Sequence, residues 1–497
     1  MEYTSTRNNN ININSANVIK QGISADGGLF VPIRFPELSL TEIGLLSGKS
    51  YSERAGYIMG SIFDDFLFSE IEDCVNNAYT EEKFGASPAP VKKLSDTAFM
   101  LELWHGPTCA FKDMALQILP KLITYSLSKT GEKKTVLILV ATSGDTGKAA
   151  LEGFKDIERT KIFVYYPNEG VSSIQKLQMT AQTGNNVGVC GINGNFDDAQ
   201  NGVKAIFSDK SIIKELSNKG YFLSSANSIN WGRLAPQIVY YISSYCELLV
   251  KGEIKLGEKI NIAVPTGNFG NILAAYYAGK MGLPINKLIC ASNVNNVLTE
   301  FINEGVYNKN RSFYNTNSPS MDILISSNLE RLLFDLLNKD SNKLSLLMNE
   351  LRQKGSYKID EKLHKKLKEI FYGGCCDEKS TKMTIKETYE NCSYLTDTHT
   401  AVAVKVYNDY LKETGDKTKT IIASTASPFK FNKAVLEALT GKEISESADE
   451  FRLINELSAL TGLEPPKALT ELKGVPVRFP DICEKQDMQN KILDFVK

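Results

Sequence analysis

The sequence predicts an α/β fold with two open parallel-sheet domains, a mostly helical N-terminal domain and a helical insertion. The first observation is that apolar runs such as 136–140 and 260–264 have the length of strands. Strands that are apolar on both faces are typical of parallel sheets covered by helices. The second observation is that each run leads through a glycine-containing loop into a segment with helical spacing of apolar residues.

The composition along the chain predicts how these units are arranged. We expect residues 1–95 to form the mostly helical domain, 96–225 a smaller α/β domain and 226–497 a larger one. Residues from about 300 to 390 are polar, with helical stretches rich in lysine and glutamate, and are interpreted as the insertion. The other expected elements are helices over 38–46, 51–68, 199–216, 329–351, 360–371 and 400–411, and strands over 162–166, 186–192, 288–291 and 420–423.

The overall composition excludes several kinds of partner. With 57 basic and 58 acidic residues, the net charge of −1 gives no electrostatic reason to expect nucleic acid or an anionic membrane. No apolar run approaches the ~20 residues of a membrane span, and no leader-like segment is found. Nine scattered cysteines without a CxxC pair and three histidines predict no metal site. We therefore expect a cytoplasmic monomer or homodimer that acts on a small-molecule substrate.

A lysine near the start of an apolar helix is the first candidate for chemistry. Gly106-Pro107 ends the preceding segment, Thr108 is expected to cap the helix, and Lys112 would lie in its first turns among apolar neighbours. Burial disfavours the charged form of lysine, and a neutral amine on a rigid element suits Schiff-base chemistry with an aldehyde. The alternative is a lysine that extends to solvent beside a solvated Asp113.

Three loops at the expected carboxyl ends of strands are candidates for ligand binding. Loop 265–271 has glycines before a helix whose free N–H groups and dipole favour a phosphate. It matches neither a Walker A motif nor GxGxxG. Loop 143–147 offers a second helix start for a carboxylate or phosphate, and loop 424–427 offers hydroxyl groups. Each loop alone could instead be only a tight turn or a helix cap.

An amine nucleophile, a phosphate loop, a second anion loop and a late hydroxyl are together what pyridoxal phosphate requires. In this order, the motifs resemble those of the threonine synthase family. Its members are pyridoxal-phosphate enzymes of the tryptophan-synthase-β-like fold type II. The resemblance extends over essentially the whole chain. It rests on Asp-Gly-Gly-Leu-Phe-Val-Pro at 26–32, His-Gly-Pro-Thr at 105–108 with Ala-Phe-Lys-Asp at 110–113, Ala-Thr-Ser-Gly-Asp-Thr-Gly at 141–147 and Pro-Thr-Gly-Asn-Phe-Gly-Asn at 265–271.

The resemblance implies a role for each matching residue. Lys112 would hold pyridoxal phosphate covalently, between the two α/β domains, and would then move protons. Thr425 would face the pyridine nitrogen. The cofactor phosphate would be bound by Gly267, Asn268, Phe269, Gly270 and Asn271. The ring and the substrate would lie near Ser143, Asp145 and Thr146.

The activity that the resemblance implies is conversion of O-phospho-L-homoserine and water to L-threonine and phosphate, the last step of threonine biosynthesis. Two departures are present: Thr398 stands where family members often have proline, and Ser427 stands where they often have histidine. No role is therefore assigned to Ser427. The alternatives are a phospholyase that stops at elimination and releases a 2-oxo acid, and a noncatalytic ligand-binding paralogue.

Overall fold

The helices and strands are taken from a computed structural model that describes residues 1–142, 144–169, 171–445 and 447–497, without the side chain of residue 197. Within these residues the strands are β1 Tyr3–Ser5, β2 Asn8–Ile13, β3 Phe30–Pro32, β4 Val91–Lys93, β5 Ala98–Glu102, β6 Thr135–Ala141, β7 Thr160–Pro167, β8 Val187–Ile192, β9 Tyr221–Ser224, β10 Ile260–Pro265, β11 Ile285–Ser292, β12 Val306–Asn308, β13 Ser356–Lys358, β14 Phe371–Cys375, β15 Thr420–Ser424 and β16 Ile482–Cys483.

The α-helices of the same described ranges cover about half of the chain. They are α1 Ser15–Gln21, α2 Leu40–Ser47, α3 Tyr51–Ile62, α4 Phe68–Ala78, α5 Glu81–Phe84, α6 Asp113–Leu116, α7 Leu119–Lys129, α8 Asp145–Phe154, α9 Ser173–Thr180, α10 Phe196–Ser208, α11 Lys210–Asn218, α12 Trp231–Val250, α13 Gly270–Lys280, α14 Val297–Glu304, α15 Leu329–Leu336, α16 Ser341–Lys354, α17 Glu361–Ile370, α18 Glu378–Cys392, α19 Thr398–Thr414, α20 Asn432–Thr440, α21 Glu450–Thr461, α22 Lys467–Thr470 and α23 Met488–Phe495.

Two larger sheets form the framework of the molecule. The first has the strand order β14-β11-β10-β15-β5-β4 and is parallel except for its edge strand β4. The second has the order β16-β8-β7-β6-β9 and is wholly parallel. Helices cover the sheets, and strands such as β6 and β10 are almost completely buried. This arrangement, with the mostly helical N-terminal region, confirms the predicted fold class.

The strands pair across the domain boundaries that the sequence suggests. β5 lies between the expected boundaries at 95 and 225, yet it pairs with β15 in the first sheet. β16, near the C-terminus, pairs with β8 in the second sheet. The chain therefore passes from the first sheet to the second soon after β5, and it returns to the first sheet at β10. The division at residues 95 and 225 remains a proposal.

Several helices that the periodicity predicts as continuous are interrupted. The segment 199–216 is divided between α10 and α11, because Asp209 is extended and its side chain caps α11. The segment 329–351 is divided between α15 and α16, because Asn338 and Lys339 have positive φ angles of 55° and 63°. In the segment 51–68, helix α3 ends at Ile62 and the next helix, α4, begins only at Phe68. Periodicity of apolar residues continues through each break, and so it does not reveal these turns.

The N-terminal helices begin at strong local caps and pack on the central helix α12. Ser39 and Ser50 each form a capping box with the glutamate three residues later, Glu42 and Glu53, which satisfies the free N–H groups of the first turn. α12 is buried along most of its 20 residues. Within the described residues, no helix has both the length and the apolar character needed to cross a membrane.

Candidate active site

A cavity of about 1090 Å³ lies where the carboxyl ends of strands from the two larger sheets face each other. Its walls include residues that follow β6, β9, β10 and β15. Among the residues that line it are all the predicted site residues that the structure describes: Lys112, Asp145, Thr146, Gly267, Asn268, Phe269, Gly270, Asn271 and Thr425. Ser143, the remaining predicted residue, lies outside the described residues. The predicted residues of this site therefore come from four separate chain segments.

The segment that carries Lys112 differs from the prediction in its first turn. The expected cap at Thr108 is wrong, because α6 begins only at Asp113 and Lys112 occupies the position before it. Thr108 instead donates its N–H and its hydroxyl to the buried Asp113 carboxylate, at 2.8 and 2.7 Å. Asp113 is thus a buried anchor and not a solvated neighbour of the lysine. The N–H of Phe111 donates to the carbonyl of Thr425 at 2.8 Å, which fixes Lys112 beside the end of β15.

The Lys112 amine faces the cavity from a largely dry environment. Lys112 is 8% exposed, and its Nζ lies 3.3 Å from Asp145 Oδ2 and 3.2 Å from Ser320 Oγ. Burial lowers the pKa of Lys112, against the attraction of Asp145, and Lys430 and Arg233 lower this pKa further. The lowered pKa of Lys112, caused first by burial, favours the neutral amine that the sequence predicts.

Asp145 is held between two lysines at the start of α8. Its Oδ1 accepts from Gln175 Nε2 and pairs with Lys430 Nζ, both at 2.8 Å. Burial alone would raise the pKa of Asp145, but attraction to Lys430, with a further contribution from Lys112, holds this pKa well below its usual range. Asp145 is therefore a carboxylate at every physiological pH, and it can orient the Lys112 amine.

Ser320, the second contact of the Lys112 amine, sits on a short 3₁₀ turn, Pro319–Met321. The Ser320 N–H lies 3.2 Å from His399 Nε2, and His399 Nδ1 lies 2.9 Å from Asp397 Oδ1. Because a backbone N–H can only donate, Nε2 must accept and the ring proton must be on Nδ1. The buried His399 thus fixes the position of the turn that carries Ser320.

The loop at 267–271 has the features of an anion site. Phe269 adopts a left-handed conformation with φ 63°, and no side chain caps the start of α13. Asn271 Oδ1 accepts from the hydroxyls of Tyr240 and Tyr241, at 2.6 and 2.5 Å. Its Nδ2 is buried and has no hydrogen-bond partner among the described residues. A helix N-terminus with an additional unpaired N–H donor is suited to a phosphate.

A second anion site is centred on Arg233, in the first turn of α12. Its guanidinium is buried, and Nη1 donates to the carbonyl of Ala226 at 2.6 Å. Its Nε has no hydrogen-bond partner among the described residues, and the buried Asp113 attracts the guanidinium without an ion pair in that part of the chain. Burial lowers the pKa of Arg233 to about 10, which still leaves it charged at neutral pH. A buried cation without an ion pair is a natural position for a ligand anion.

The loop after β15 presents one hydroxyl to the cavity. Thr425 lines the cavity, and its backbone N–H donates to Thr400 Oγ1 at 3.2 Å. Ser424 is engaged elsewhere, since its Oγ accepts from Trp104 Nε1 at 3.1 Å. Ser427 is fully buried with an unpaired hydroxyl and does not line the cavity. Of the three hydroxyl residues in this loop, Thr425 is therefore the one placed to contact a ligand.

Four residues of the site are not predicted by the sequence: Arg233, Ser320, His399 and Lys430. Lys430 had a local signal, because it is a lysine between two phenylalanines just after the predicted loop 424–427. Arg233 is similar, a single cation before a long apolar segment. Ser320 lies in a polar loop with no distinguishing pattern. Only the fold brings these positions to the cavity.

Comparison with known proteins gives the family. The model "Threonine synthase N terminus" matches residues 2–79, "Pyridoxal-phosphate dependent enzyme" matches residues 86–350, and "Threonine synthase, C-terminal" matches residues 400–481. Threonine synthase-like 1 of Homo sapiens is 42% identical over 455 residues, which are 89% of this chain and 60% of that protein. This chain thus spans about 60% of the length of those relatives.

Relatives named threonine synthase match over most of their length. That of Pseudomonas aeruginosa is 37% identical over 446 residues, 89% of this chain and 91% of that protein. Among solved structures, pyridoxal-phosphate-bound threonine synthase from Brucella melitensis has a TM-score of 0.87 and 35% identity, covering 100% of both chains. Yeast threonine synthase has a TM-score of 0.88 and 33% identity, covering 100% of this chain and 98% of that one. This chain therefore belongs to the threonine synthase family of pyridoxal-phosphate-dependent enzymes.

Proposed function

We propose that this chain converts O-phospho-L-homoserine and water to L-threonine and phosphate. The observation that carries the proposal is that one cavity holds a buried amine and two separate anion sites. A reaction with this cofactor and this substrate needs two phosphate positions, one for each. The N-terminus of α13 supplies one, and Arg233 supplies the other. A noncatalytic paralogue would have no need for the second, buried cation.

Pyridoxal phosphate is the cofactor of the family, and residues of this chain fit it. The unpaired Nδ2 of Asn271 and the uncapped start of α13 are donors that a phosphate would satisfy. A Cβ at Gly267 would lie 2.7 Å from the Ser320 carbonyl, so only glycine allows the two loops to approach this closely. When bound, this group supplies an aldehyde that condenses with amines and a ring that stabilises negative charge.

Lys112 would hold the cofactor and act as the base. Its lowered pKa leaves the amine uncharged for a larger fraction of the time, so that Nζ can accept the proton from the substrate Cα. The Asp145 carboxylate and the Ser320 hydroxyl limit where Nζ can move, which keeps it within reach of that carbon. The same amine can return the proton to Cα after water has added at Cβ.

Thr425 would face the pyridine nitrogen, as the resemblance implies. A neutral hydroxyl there leaves the ring nitrogen less protonated than a carboxylate would, which moderates the stabilisation of negative charge. Asp145 and Thr146 would lie near the ring and the substrate, and these assignments rest on the shared cavity and on the motif order. For Ser143 the same role is only what the resemblance implies.

Arg233 would bind the substrate phosphate, which the sequence alone could not assign. Its Nη1 donates to the carbonyl of Ala226, two residues before Ser228. Asn328 Nδ2 links Ser228 Oγ to the carbonyl of Asn268, at 2.9 and 3.1 Å. The two anion sites are therefore neighbours, held by one hydrogen-bonded bridge. Positive charge at the leaving oxygen stabilises phosphate as the Cγ–O bond breaks.

The test is product analysis with O-phospho-L-homoserine and the purified, cofactor-loaded chain. We expect threonine and phosphate in equal amounts, and no turnover or covalent cofactor attachment in Lys112→Ala. Lys148→Ala is a matched control, because Lys148 lies on α8 but pairs with Glu152 at 2.9 Å outside the cavity. Release of 2-oxobutyrate without threonine would assign a phospholyase. Absence of turnover, with cofactor binding that is indifferent to Lys112, would assign a noncatalytic paralogue.

A further inference from the structure

Lys430 is a completely buried lysine that no part of the reaction described above uses. It lies at 0% exposure just after β15. Its Nζ pairs with Asp145 Oδ1 at 2.8 Å and donates to the carbonyl of Thr108 at 2.8 Å. A buried ammonium is costly unless it is paired. Its position opposite Lys112, on the other oxygen of the same carboxylate, therefore requires an explanation.

Lys430 and Lys112 contact different oxygens of the same carboxylate, that of Asp145. The Lys430 contact with Asp145 is the shorter, at 2.8 Å against 3.3 Å for Lys112. Lys430 also has a second acceptor, the Thr108 carbonyl, whereas Lys112 has a hydroxyl that can either donate or accept. With one negative charge for two amines, the amine with the shorter contact to the carboxylate and the additional carbonyl acceptor keeps the proton. The geometry selects Lys430 as the ammonium.

We propose that Lys430 is a positioning residue whose charge neutralises Asp145, so that Asp145 orients the Lys112 amine without holding it as an ammonium. Without Lys430, the Asp145 carboxylate would face Lys112 as its only cation and would stabilise the protonated amine. The unprotonated amine is the form that can attack an aldehyde or accept a proton. The inference therefore deepens the proposed function and rests on it for the role of Lys112.

The remaining charged groups around Lys112 do not replace this effect. Arg233, from α12, is a cation and lowers the pKa of Lys112 in the same direction as Lys430. His399, from α19, faces Ser320 and carries its ring proton toward Asp397. Apart from Asp145, no carboxylate forms an ion pair with the Lys112 amine in the described ranges. Asp145 is thus the group whose charge must be neutralised.

The experiment measures the protonation of Lys112 directly in the full chain freed of cofactor. The rate at which an amine-reactive reagent labels Lys112 is followed by peptide mass spectrometry as a function of pH. The variants are Lys430→Met, Lys430→Arg and Asp145→Asn. In Lys430→Met we expect the midpoint of labelling to rise by about 1–3 pH units. In Asp145→Asn it should fall, because Lys430 then acts on Lys112 without a counterion.

Lys430→Arg keeps the charge and should leave the midpoint close to that of the unmodified chain. Lys382→Met is the matched control, since Lys382 forms a 2.7 Å ion pair with Glu437 at the surface, and its midpoint should not move. If Lys430→Met fails to fold, Asp145→Asn decides alone. An unchanged midpoint in the folded Lys430→Met or in Asp145→Asn overturns the inference. Because no substrate is present, this outcome is independent of whether threonine is formed.

Discussion

Asp113 is a buried carboxyl group whose environment makes stability depend on pH. Burial raises the pKa of Asp113 to about 6, against the hydrogen bonds from Thr108 that lower it. An unfolded aspartate titrates near pH ~3.9. The folded chain thus binds a proton that the unfolded chain does not between these two pH values. Asp113 does not lower the free energy of unfolding below about pH 4, where it is protonated in both states. Above about pH 6 its ionisation lowers the free energy of unfolding by up to about 3 kcal/mol.

Asp113→Asn should remove this pH dependence while keeping the hydrogen bonds to Thr108, because an amide can accept from the N–H and donate to the hydroxyl. We expect the thermal midpoint of the variant, relative to the unmodified chain, to rise between about pH 4.5 and about pH 7.5. The exposed Asp494 provides the control substitution, Asp494→Asn. A constant difference across this pH range would contradict the prediction.

Arg233→Met should weaken binding of the substrate phosphate. A hydrogen bond to a charged group contributes about 1.5–3 kcal/mol, so we expect kcat/KM to fall by about 10- to 100-fold and inhibition by inorganic phosphate to weaken with it. Arg233→Lys should restore part of the loss, because it keeps the charge. Arg452→Met, which removes an exposed cation paired with Glu456, is the control. Unchanged inhibition by phosphate would exclude Arg233 from this role.

At this level the sequence predicts residues that stand in local motifs. Lys112, the 267–271 loop and Thr425 each follow a glycine-rich or strand-end pattern, and all of them line the cavity. The place of Ser320 and the pairing of Lys430 follow only from their contacts, since these residues are 208 and 318 positions from Lys112 in the sequence. The fold decides which side chains that are far apart in the sequence become buried and paired with each other. A local sequence pattern therefore does not predict these contacts.

The contact between α6 and α8 sets the distance between Lys112 and Asp145, because each residue stands at the start of one of these helices. A Cβ at Gly153 in α8 would lie 2.0 Å from the carbonyl oxygen of Leu116. Only glycine therefore allows α8 to pack directly on the backbone of α6. The position of the Asp145 carboxylate thus depends on glycine, which has no side chain, at position 153, eight residues further along α8.

Gly153→Ala should push α8 away from α6. Overpacking costs about 1–3 kcal/mol, which exceeds the gain of about 1 kcal/mol that alanine brings to a helix interior. We expect a lower thermal midpoint and a reduced affinity for the cofactor. The matched control is Gly56→Ala in α3, where a Cβ meets nothing within 4 Å, and this variant should be slightly stabilised. Equal effects of the two substitutions would contradict the prediction.

Elements with strong periodicity or caps were predictable, and long buried ones were not. β6 and β10 agree with the apolar runs, and α19 agrees with the helix expected at 400–411. α12 is buried along most of its length, and its polar residues Arg233 and Gln237 are buried as well, so a division into a buried apolar face and an exposed polar face does not mark it. Interruptions such as the one at Asn338 depend on single left-handed residues, which apolar periodicity does not detect.

At the scale of the whole molecule, the C-terminal segment 481–497 supplies the edge strand of the second sheet. β16 pairs with β8, and the side chains of Cys483, Met488 and Ile492 are buried in the core of that sheet. Few recognisable patterns are present in the sequence after Pro465, because a two-residue strand has no period of its own. Strand order between distant segments is likewise decided by packing, which explains why the sheets cross the expected boundaries.

Deletion of residues 481–497 should destabilise the second sheet selectively. We expect faster hydrogen exchange at the amides of β8 and an earlier thermal transition, whereas β10 and β11 in the first sheet should keep their protection. Removal of Lys497 alone, an exposed residue, is the control and should change neither measurement. Uniform loss of protection in both sheets would show that they unfold as one unit.

The order of segments around Lys112 also determines when the site can form during translation. The amine needs Ser320 and Asp145, and Asp145 needs Lys430. At about 10 residues per second, a ribosome takes about half a minute to proceed from codon 112 to codon 430. A nascent polypeptide of this sequence therefore carries an unassembled amine for most of its synthesis. With the role proposed for Lys112, we expect a chain to bind its cofactor only after these later segments have emerged and folded.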